Sequence, residues 1–486
     1  MTISTSTTEK ATYRFRMLSD DQIEEIKWAA FDVLRTVGVK VRHAEARKML
    51  KRSGAVVKEE SVKVPEYIVR ECLRSTPKGF TIFDRQGKRA MEVQGRKSHF
   101  GTSTASPTTQ DARTGEIHPT LLEDIALGAR VADGCEHIDF VMPFGSSQDA
   151  PARAIDLHEF PQVVANTTKP IVFIGYSGRG VARVYEMAAA VAGGLDQLQE
   201  RPFVMAYPEP IAPLVYPVEV CDRIFTAADL DMPQIPGATI QLGATGPMTV
   251  AGAVAHGLVE GLMAIVLGQL RRPGCPMCLS TNAGILDMST GLMTFGAPTN
   301  STLLIAHAEV AQSLGLPTWG LAGATDAKVM DAQAGAETMF HILAQALGGL
   351  NLIHDVGYID SAMACSPQQL VFGNEAIGMV KHFLKGFPVN RASLAREVME
   401  AVGPGGHFLT QDHTFQNFRE VLWRPKLMNR QPRQVWEEAG SQDMGQVVQQ
   451  ETLRILDTHK VPELDGKILD ELERIKQEGT QELAAD

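Results

Sequence analysis

The sequence predicts an α/β protein built on a (β/α)8 TIM barrel, with an N-terminal α+β extension and a C-terminal helical extension. Three observations predict it. Eight short apolar runs each end in a turn rich in Gly, Pro, Ser or Asn. Seven stretches of helical periodicity separate them. Successive run centres lie about 30 to 40 residues apart, the length of one βα unit. Such units in series call for parallel strands joined by right-handed crossovers. A closed barrel leaves no strand edge exposed. A doubly wound open sheet is the alternative arrangement of the same units.

Residues 1–97 precede the alternation. Residues 1 to about 15 are polar and Thr/Ser-rich, and are expected to be disordered. Ser19 or Asp20 caps a helix whose apolar stripe is Ile23, Ile26, Ala29, Ala30, Val33 and Leu34. Helical patterns over 44–52 and 65–74 follow, then a hairpin over 80–93 turning at Gln86 and Gly87. Residues 98–375 carry the barrel. Its strands are read at 99–103, 138–145, 170–177, 202–210, 238–246, 276–282, 317–325 and 350–357. Its helices are read at 121–132, 155–166, 181–192, 218–228, 249–270, 300–314 and 332–347. Residues 376–486 form the C-terminal extension, ending in one exposed, charged helix after Glu463.

Composition narrows the function. Hydrophobic residues are 44% and charged residues 21%, ordinary for a globular domain. The net charge of −11 argues against a nucleic-acid surface. The apolar stretch 261–270 ends at Arg271 and Arg272 and is too short to span a bilayer. The N-terminus has no apolar h-region, so a cytoplasmic protein without a membrane partner is expected. Six scattered cysteines do not suggest a disulfide framework. Cys275 and Cys278 form a CxxC pair, but no second pair completes a metal site, and strand alternation sends them to opposite faces. No metal site is predicted.

A barrel of this kind places its chemistry at the carboxyl ends of the strands. That rule selects Phe100, Thr102, Phe144, Tyr176, Tyr207, Glu209, Gln241, Thr245, Thr281, Asn282, Trp319, Asp326, His354, Asp355 and Tyr358, with Phe295 on the loop after the sixth strand. The ring is rich in aromatics, although these are 6% of the chain, and Arg179 and Lys328 are its nearest cations. Aromatics at strand ends also serve as packing, the prolines around Glu209 also stiffen a turn, and Asp326 and Asp331 also suit helix caps. Gly243 and Gly246, ahead of a helix, suit either an anion cradle or a tight connection; neither GxGxxG nor GxxxxGK[ST] is present. The residues alone leave the reaction open, and no catalytic residue is assigned.

Several segments carry a family resemblance: "VLRTVGVKV" from Val33, "GATGPMTVAG" from Gly243, "NLIHDVGYIDSA" from Asn351, "VGPGGHFLTQDHT" from Val402, then "WRPKL" and "WEEAG". In this order they resemble the trimethylamine methyltransferase family, from about Leu18 to Leu456. The resemblance implies a (β/α)8 barrel and transfer of a methyl group from an amine to a corrinoid (cobalamin) held by a separate protein. The trimethylamine enzymes carry pyrrolysine, whose equivalent is expected within 354–366; this chain has only standard residues. It is therefore similar to the members lacking pyrrolysine, for which glycine betaine is the best-known substrate.

That substrate class sets physical demands. A quaternary ammonium leaves as a neutral amine and needs only alignment with a nucleophile. It has no N–H to donate, so aromatic faces and carboxylates must recognise it. The expected cage is Phe100, Tyr207, Phe295 and Tyr358, with Glu209 or Asp355 as counter-charge. Gln241, Asn282, His354 or the helix start after Gly246 are expected to take a betaine carboxylate. Expected partners are a cognate corrinoid protein, the amine and possible further copies of the chain. No cofactor is expected to be tightly held. Trimethylamine, carnitine or proline betaine, and a non-catalytic quaternary-amine binder, are the alternatives. An aldolase would want a lysine at a strand end, and a metal hydrolase would want His and Asp pairs.

Overall fold

Eight parallel strand positions close on themselves. In the computed structural model, which describes residues 2–6 and 10–485, the first strand, Lys97–Thr102, bridges to Phe140 through Gly101. Val141 bridges to Ile171, and Ile171–Phe173 pairs with Val204–Ala206. Ala206 bridges to Gln234, which bridges to Met277. Leu279–Ser280 pairs with Thr318–Leu321, and that strand pairs with Leu352–Val356, which returns to His99 and Phe100. Every pairing is parallel, so all eight carboxyl ends point to one face.

The fifth position is not where periodicity puts it. The run at 238–246 forms Thr239–Leu242, which pairs in parallel with Asn282–Leu286 beyond the ring. The barrel contact is made by Gln234, between Pro233 and Pro236. Proline cannot donate to a ladder, so a strand this short and proline-bound carries no alternating pattern. Helices follow the strands as expected. Ile155–Asn166 matches its expected bounds, and Leu122–Gly134, Val218–Asp229, Pro298–Ser313 and Ala332–Gly348 lie within two residues of theirs.

Two corrections concern helices. Val250–Arg271 lies within one residue of its expected bounds, but the whole helix of 22 residues, unlike the apolar stretch 261–270 within it, meets by length and composition the requirement for a membrane span. It is mostly buried and packs against Asp20–Thr36, Glu66–Ser75, Val218–Asp229 and Pro298–Ser313, as a core helix does. The final helix, Gly466–Ala484, is not simply exposed. Leu472, Ile475 and Leu483 are buried, and it packs on Gly178–Ala192 and Ile155–Asn166.

The N-terminal region is fastened to the barrel. Ser19 and Gln22 form a capping box on Asp20–Thr36. Val39–Val41, Ser61–Lys63 and Val56–Lys58 form a sheet that gains Val215–Tyr216 from the loop after the fourth barrel strand. Strands of two or three residues are too short to show alternation, and none was expected. Within the stretch expected to be disordered, Ile3–Ser4 pairs antiparallel with Lys97 and Ser98, which ties the terminus down. Residues 1 and 7–9 lie outside the described residues.

The expected hairpin, Gly79–Phe83 with Arg89–Gln94, plugs the amino end of the barrel. Ile82, Met91 and Val93 pack with Phe140, Met142, Val172, Met205, Ile235, Cys278 and Leu352, which line the interior. Phe83 N–H bonds to Pro202 and Arg85 N–H to Thr168, both just ahead of strands. The floor is therefore apolar and sealed. Ile82→Ala should leave an unfilled space in it and cost roughly 2–4 kcal/mol. A thermal or urea unfolding series checks this, with the exposed Lys88→Ala unchanged.

Candidate functional site

Above the sealed floor the interior turns polar at the ends of the fourth to eighth strands. Tyr207 follows Val204–Ala206, Trp319 lies in Thr318–Leu321, and His354 lies in Leu352–Val356; strand alternation turns all three inward. The rings pack together. Trp319 stacks on His354 at 4.2 Å between centroids with 19° between planes, and Tyr207 lies 5.3 Å from Trp319. Asn282 enters from the strand that pairs with Thr239–Leu242. Its amide nitrogen donates to the Tyr207 hydroxyl, and its oxygen lies 3.3 Å from His354 Nε2. An amide oxygen only accepts, so this bond places a proton on Nε2. Thr239 donates its hydroxyl to Glu209, which continues the chain to the rim.

Asp355 brings a buried carboxylate to the same place. His354 Nδ1 is 2.6 Å from its Oδ1, yet neither atom completes a hydrogen bond of good geometry among the described residues. Its φ of +78° is a conformation that side chains avoid, and such strain concentrates at functional sites. Burial raises the Glu209 carboxyl above the usual range, while the Thr239 bond and the charges of His354 and Arg223 pull it back. Burial likewise raises the Tyr207 and Tyr358 phenols, with neighbouring carboxylates adding to the effect.

A second aromatic pair stands beyond this group. Phe295 meets Tyr358 edge to face at 5.9 Å and 66°. A carboxylate fixes the Phe295 loop. Asp326 Oδ1 accepts the Phe295 N–H and the Ser361 hydroxyl, each at 2.8 Å, and Oδ2 accepts the Gly296 N–H at 3.0 Å. One side chain thus ties together the loops after the sixth, seventh and eighth strands. It also steadies Asp360, Ser361 and Ala362, whose φ values of 54°, 55° and 66° put three consecutive non-glycine residues in the left-handed region. Asp331, not Asp326, is the helix cap, accepting from the Ala334 N–H.

The remaining expected residues lie elsewhere. Phe100 does not join the mouth. Gly101 occupies the inward position against Phe140, so Phe100 faces the outer helices, its ring 5.8 Å from Lys381 Nζ. Gln241 shares the Thr239 face of its strand, but its carbonyl is committed to the N–H groups of Ala244, Thr245 and Gly246. The glycine turn is therefore a tight connection. Its donors are used locally, Gly243 takes φ +90°, and the next helix starts only at Val250. The expected anion site is the helix start, which lies at Val250 beyond this turn. Cys278 faces the interior and Cys275 meets Gln269 outside it.

Two groups escaped the strand-end rule. Arg223, whose charge acts on Glu209, sits mid-helix in Val218–Asp229 and holds the Gly175 carbonyl at 2.6 Å. Thr239 was hidden in the misplaced fifth strand. A groove of about 810 Å³ lined by Arg153, Tyr176, Arg179, Glu219 and Asp222 lies beside the mouth, but none of the stacked aromatic residues lines it. The convergent polar groups lie inside the barrel, and there the chemistry is placed.

An α/β barrel with aromatic rings and buried carboxylates at its carboxyl end is an enzyme-type scaffold. Comparison with known proteins narrows it. Residues 2–483 match the family described as trimethylamine methyltransferase (MTTB), and the chain belongs to that family of methyltransferases. It is 31% identical to the trimethylamine methyltransferase of Methanosarcina thermophila over 94% of this chain and 96% of that one. It is 28% identical to the glycine betaine methyltransferase of Desulfitobacterium hafniense over 87% and 88% of the two chains. The monomethylamine methyltransferase structure from Methanosarcina barkeri aligns at 11% identity and a TM-score of 0.49 over 94% and 90%.

Asp326→Ala would strand three donors. It should cost roughly 2–4 kcal/mol and open the 287–297 loop to limited proteolysis, whereas exposed Lys328→Ala should do neither. On the rim, Glu159 is buried and accepts the Ser147 N–H at 2.8 Å; burial pushes its carboxyl up to about 7. The folded protein therefore holds this proton more tightly than the unfolded chain. Stability is lost as pH rises from the ordinary glutamate range through about 7, where the folded form must bury a charge. Glu159→Gln should remove that loss. Its melting temperature relative to the parent should rise between pH 5 and pH 8, by roughly 2–3 kcal/mol of differential stability.

Proposed function

We propose that the chain transfers a methyl group from a quaternary amine, with glycine betaine the best substrate, to the Co(I) of a corrinoid carried by a separate protein. The observation that carries this reading is the mouth itself, where aromatic faces and the buried carboxylate of Asp355 meet inside a sealed barrel. A cation without N–H groups finds π faces and negative charge there, each face worth roughly 0.5–2 kcal/mol.

In this reading Tyr207, Phe295 and Tyr358 present ring faces to the ammonium, and Trp319 backs His354. Asp355 and Glu209 supply the counter-charge. Asn282 positions Tyr207 and His354 through its amide, and His354, with Gln241 at the edge, orients the substrate carboxylate. The chain's task is to hold one N⁺–CH₃ axis toward the open face and keep water out. The methyl carbon passes to cobalt, the C–N bond breaks, and its electron pair stays on nitrogen, leaving dimethylglycine with a neutral amine and its carboxylate still charged. No proton transfer is required, which suits a chain of standard residues only. We place this chemistry in residues 98–375, with 1–97 and 376–486 as supporting extensions. The trimethylamine relatives favour a second reading, a tertiary amine substrate. Such a donor must first be protonated or captured, and the mouth then needs a group to do it.

The test follows Co(I) to methyl-Co(III) conversion spectroscopically on a reduced corrinoid protein. Glycine betaine, carnitine, proline betaine and trimethylamine are compared. Methylation by betaine with little from trimethylamine is expected. Tyr358→Ala and Tyr207→Ala should each lower kcat/KM by roughly ten- to a hundredfold. Turnover with trimethylamine alone would move the assignment to the second reading, and betaine binding without methylation would identify a binding protein instead.

A further inference from the structure

The wall of the mouth holds an anion and a cation that do not meet. Met205 and Tyr207 point into the barrel, and Glu209 continues their row two residues further on. The Thr239 hydroxyl donates to Glu209 Oε1, which turns the carboxylate toward the Asn282 side of the mouth. Its Oε2 takes no donor among the described residues. Arg223 approaches the same carboxylate from a helix. It lies in the first half of Val218–Asp229, which starts at the carboxyl end of the barrel. Helical side chains lean back toward the start of their helix, and this one reaches the rim. Its Nη1 donates to the Gly175 carbonyl at 2.6 Å, just past the third strand, and its Nε to the Glu219 carbonyl at 3.2 Å. Its Nη2 has no acceptor, and the guanidinium makes no ion pair among the described residues. Glu209 nonetheless feels its charge, together with those of His354 and Asp355. Asp156 and Glu219 also lie near the guanidinium, but neither closes a pair with it.

A part-buried guanidinium held only by carbonyls remains short of negative charge. The cations expected near the rim are engaged elsewhere. Lys328 pairs with Asp360 at 3.1 Å, and Arg179 lies 4.0 Å from Glu482. Inside the mouth, His354 commits its Nε2 proton to Asn282, so a substrate carboxylate needs a further donor. An ion pair left open in this way matches a zwitterion. The ammonium of such a molecule sits against Glu209 and the rings. Its carboxylate then completes the guanidinium with charge-assisted hydrogen bonds.

We propose that Arg223 anchors the substrate carboxylate, and that this residue selects quaternary-ammonium zwitterions over cations that lack a carboxylate; the step rests on the proposed function. Arg223 sets specificity and takes no part in breaking the C–N bond. Isothermal titration of the full-length protein without corrinoid reads binding of glycine betaine, carnitine and choline. Choline keeps the quaternary nitrogen and carries a hydroxymethyl group in place of the carboxylate. The parent protein should bind a zwitterion at least roughly tenfold more tightly than choline. Arg223→Gln should weaken the zwitterion roughly ten- to a hundredfold and leave choline within about threefold. Arg223→Lys keeps the charge but loses the planar fork, so it should fall between; it is the second probe should the first fail to fold. In turnover the loss should appear in KM, with kcat nearly kept. Exposed Arg153→Gln, on the groove beside the mouth, should change neither ligand. A matching loss there would assign the effect to the overall charge of the rim and overturn the proposal. Unchanged zwitterion affinity in the folded Arg223 variants overturns it and leaves the methyl-transfer reading standing. So do equal parent affinities for zwitterion and choline, or equal losses of both in the variants. Zwitterion binding that depends on Arg223 but leads to no methylation upholds the anchor while the methyl-transfer reading falls. A parent protein that binds none of the three overturns both.

Discussion

The architecture depends on one residue closing the ring. Gln234 is the fifth barrel strand. Its N–H reaches the Pro276 carbonyl and its carbonyl takes the Cys278 N–H, both at 3.1 Å. Ile235 completes the other side by donating to Ala206 at 2.9 Å. Pro233 and Pro236 flank the pair and have no N–H to give, so these donors carry the seam. The Gln234 side chain is buried and bonds to the Ile224 carbonyl, which holds the position against the outer helix. Closure also fixes register. A slip of one residue would turn every inward side chain of that strand outward, and Tyr207, Trp319 and His354 each depend on the register of their own strand.

Closure makes the mouth a dry place in which charge is expensive. Glu209 shows the competition. Burial raises its carboxyl, while Thr239, His354 and Arg223 favour the ionised form. Asp355 lies beside an imidazole that does not complete a bond to it. Among the described residues, Asp355 Oδ1 and His354 Nδ1 therefore keep bonding capacity that is not used. Buried polar atoms in this state are costly unless something else satisfies them. A bound cation compensates the carboxylates without competing for the amide of Asn282, which Tyr207 and His354 already occupy. A substrate carboxylate can instead share the imidazole. The proposed betaine meets both requirements in one molecule.

Much of this was legible in the sequence, for specific reasons. Long helices announce themselves by periodicity, and Ile155–Asn166 was read to the residue. Seven of the eight barrel strands were read in place because each is an apolar run followed by a turn. The fifth reading failed at 238–246, where a true strand exists but lies above the ring, and the proline-bound Gln234 gave no pattern. The strand-end rule found Tyr207, Glu209, Asn282, His354, Asp355 and Tyr358 in one region. It could not tell Phe100 from Gly101, since which neighbour faces inward is set by the pairing with Phe140. It could not see Arg223, which reaches the rim from a helix.

The two ends of the barrel divide their work because the strands are parallel. Some connections at the amino end are short, as at 167–170 and 349–351, and a single hairpin seals that face. Several connections at the carboxyl end are long, as at 207–217, 322–331 and 357–366; all three carry polar groups, and the first and last carry aromatic ones. Long loops are free to vary but are entropically loose. Asp326 answers that looseness by joining three of them through one carboxylate, at a point where three left-handed residues need support. The Phe295 wall thus rests on loop-to-loop bonds, whereas Tyr358 is held in the short strand Tyr358–Ile359 paired with Ala364–Cys365. The amino end, sealed by one paired hairpin, has no such demand.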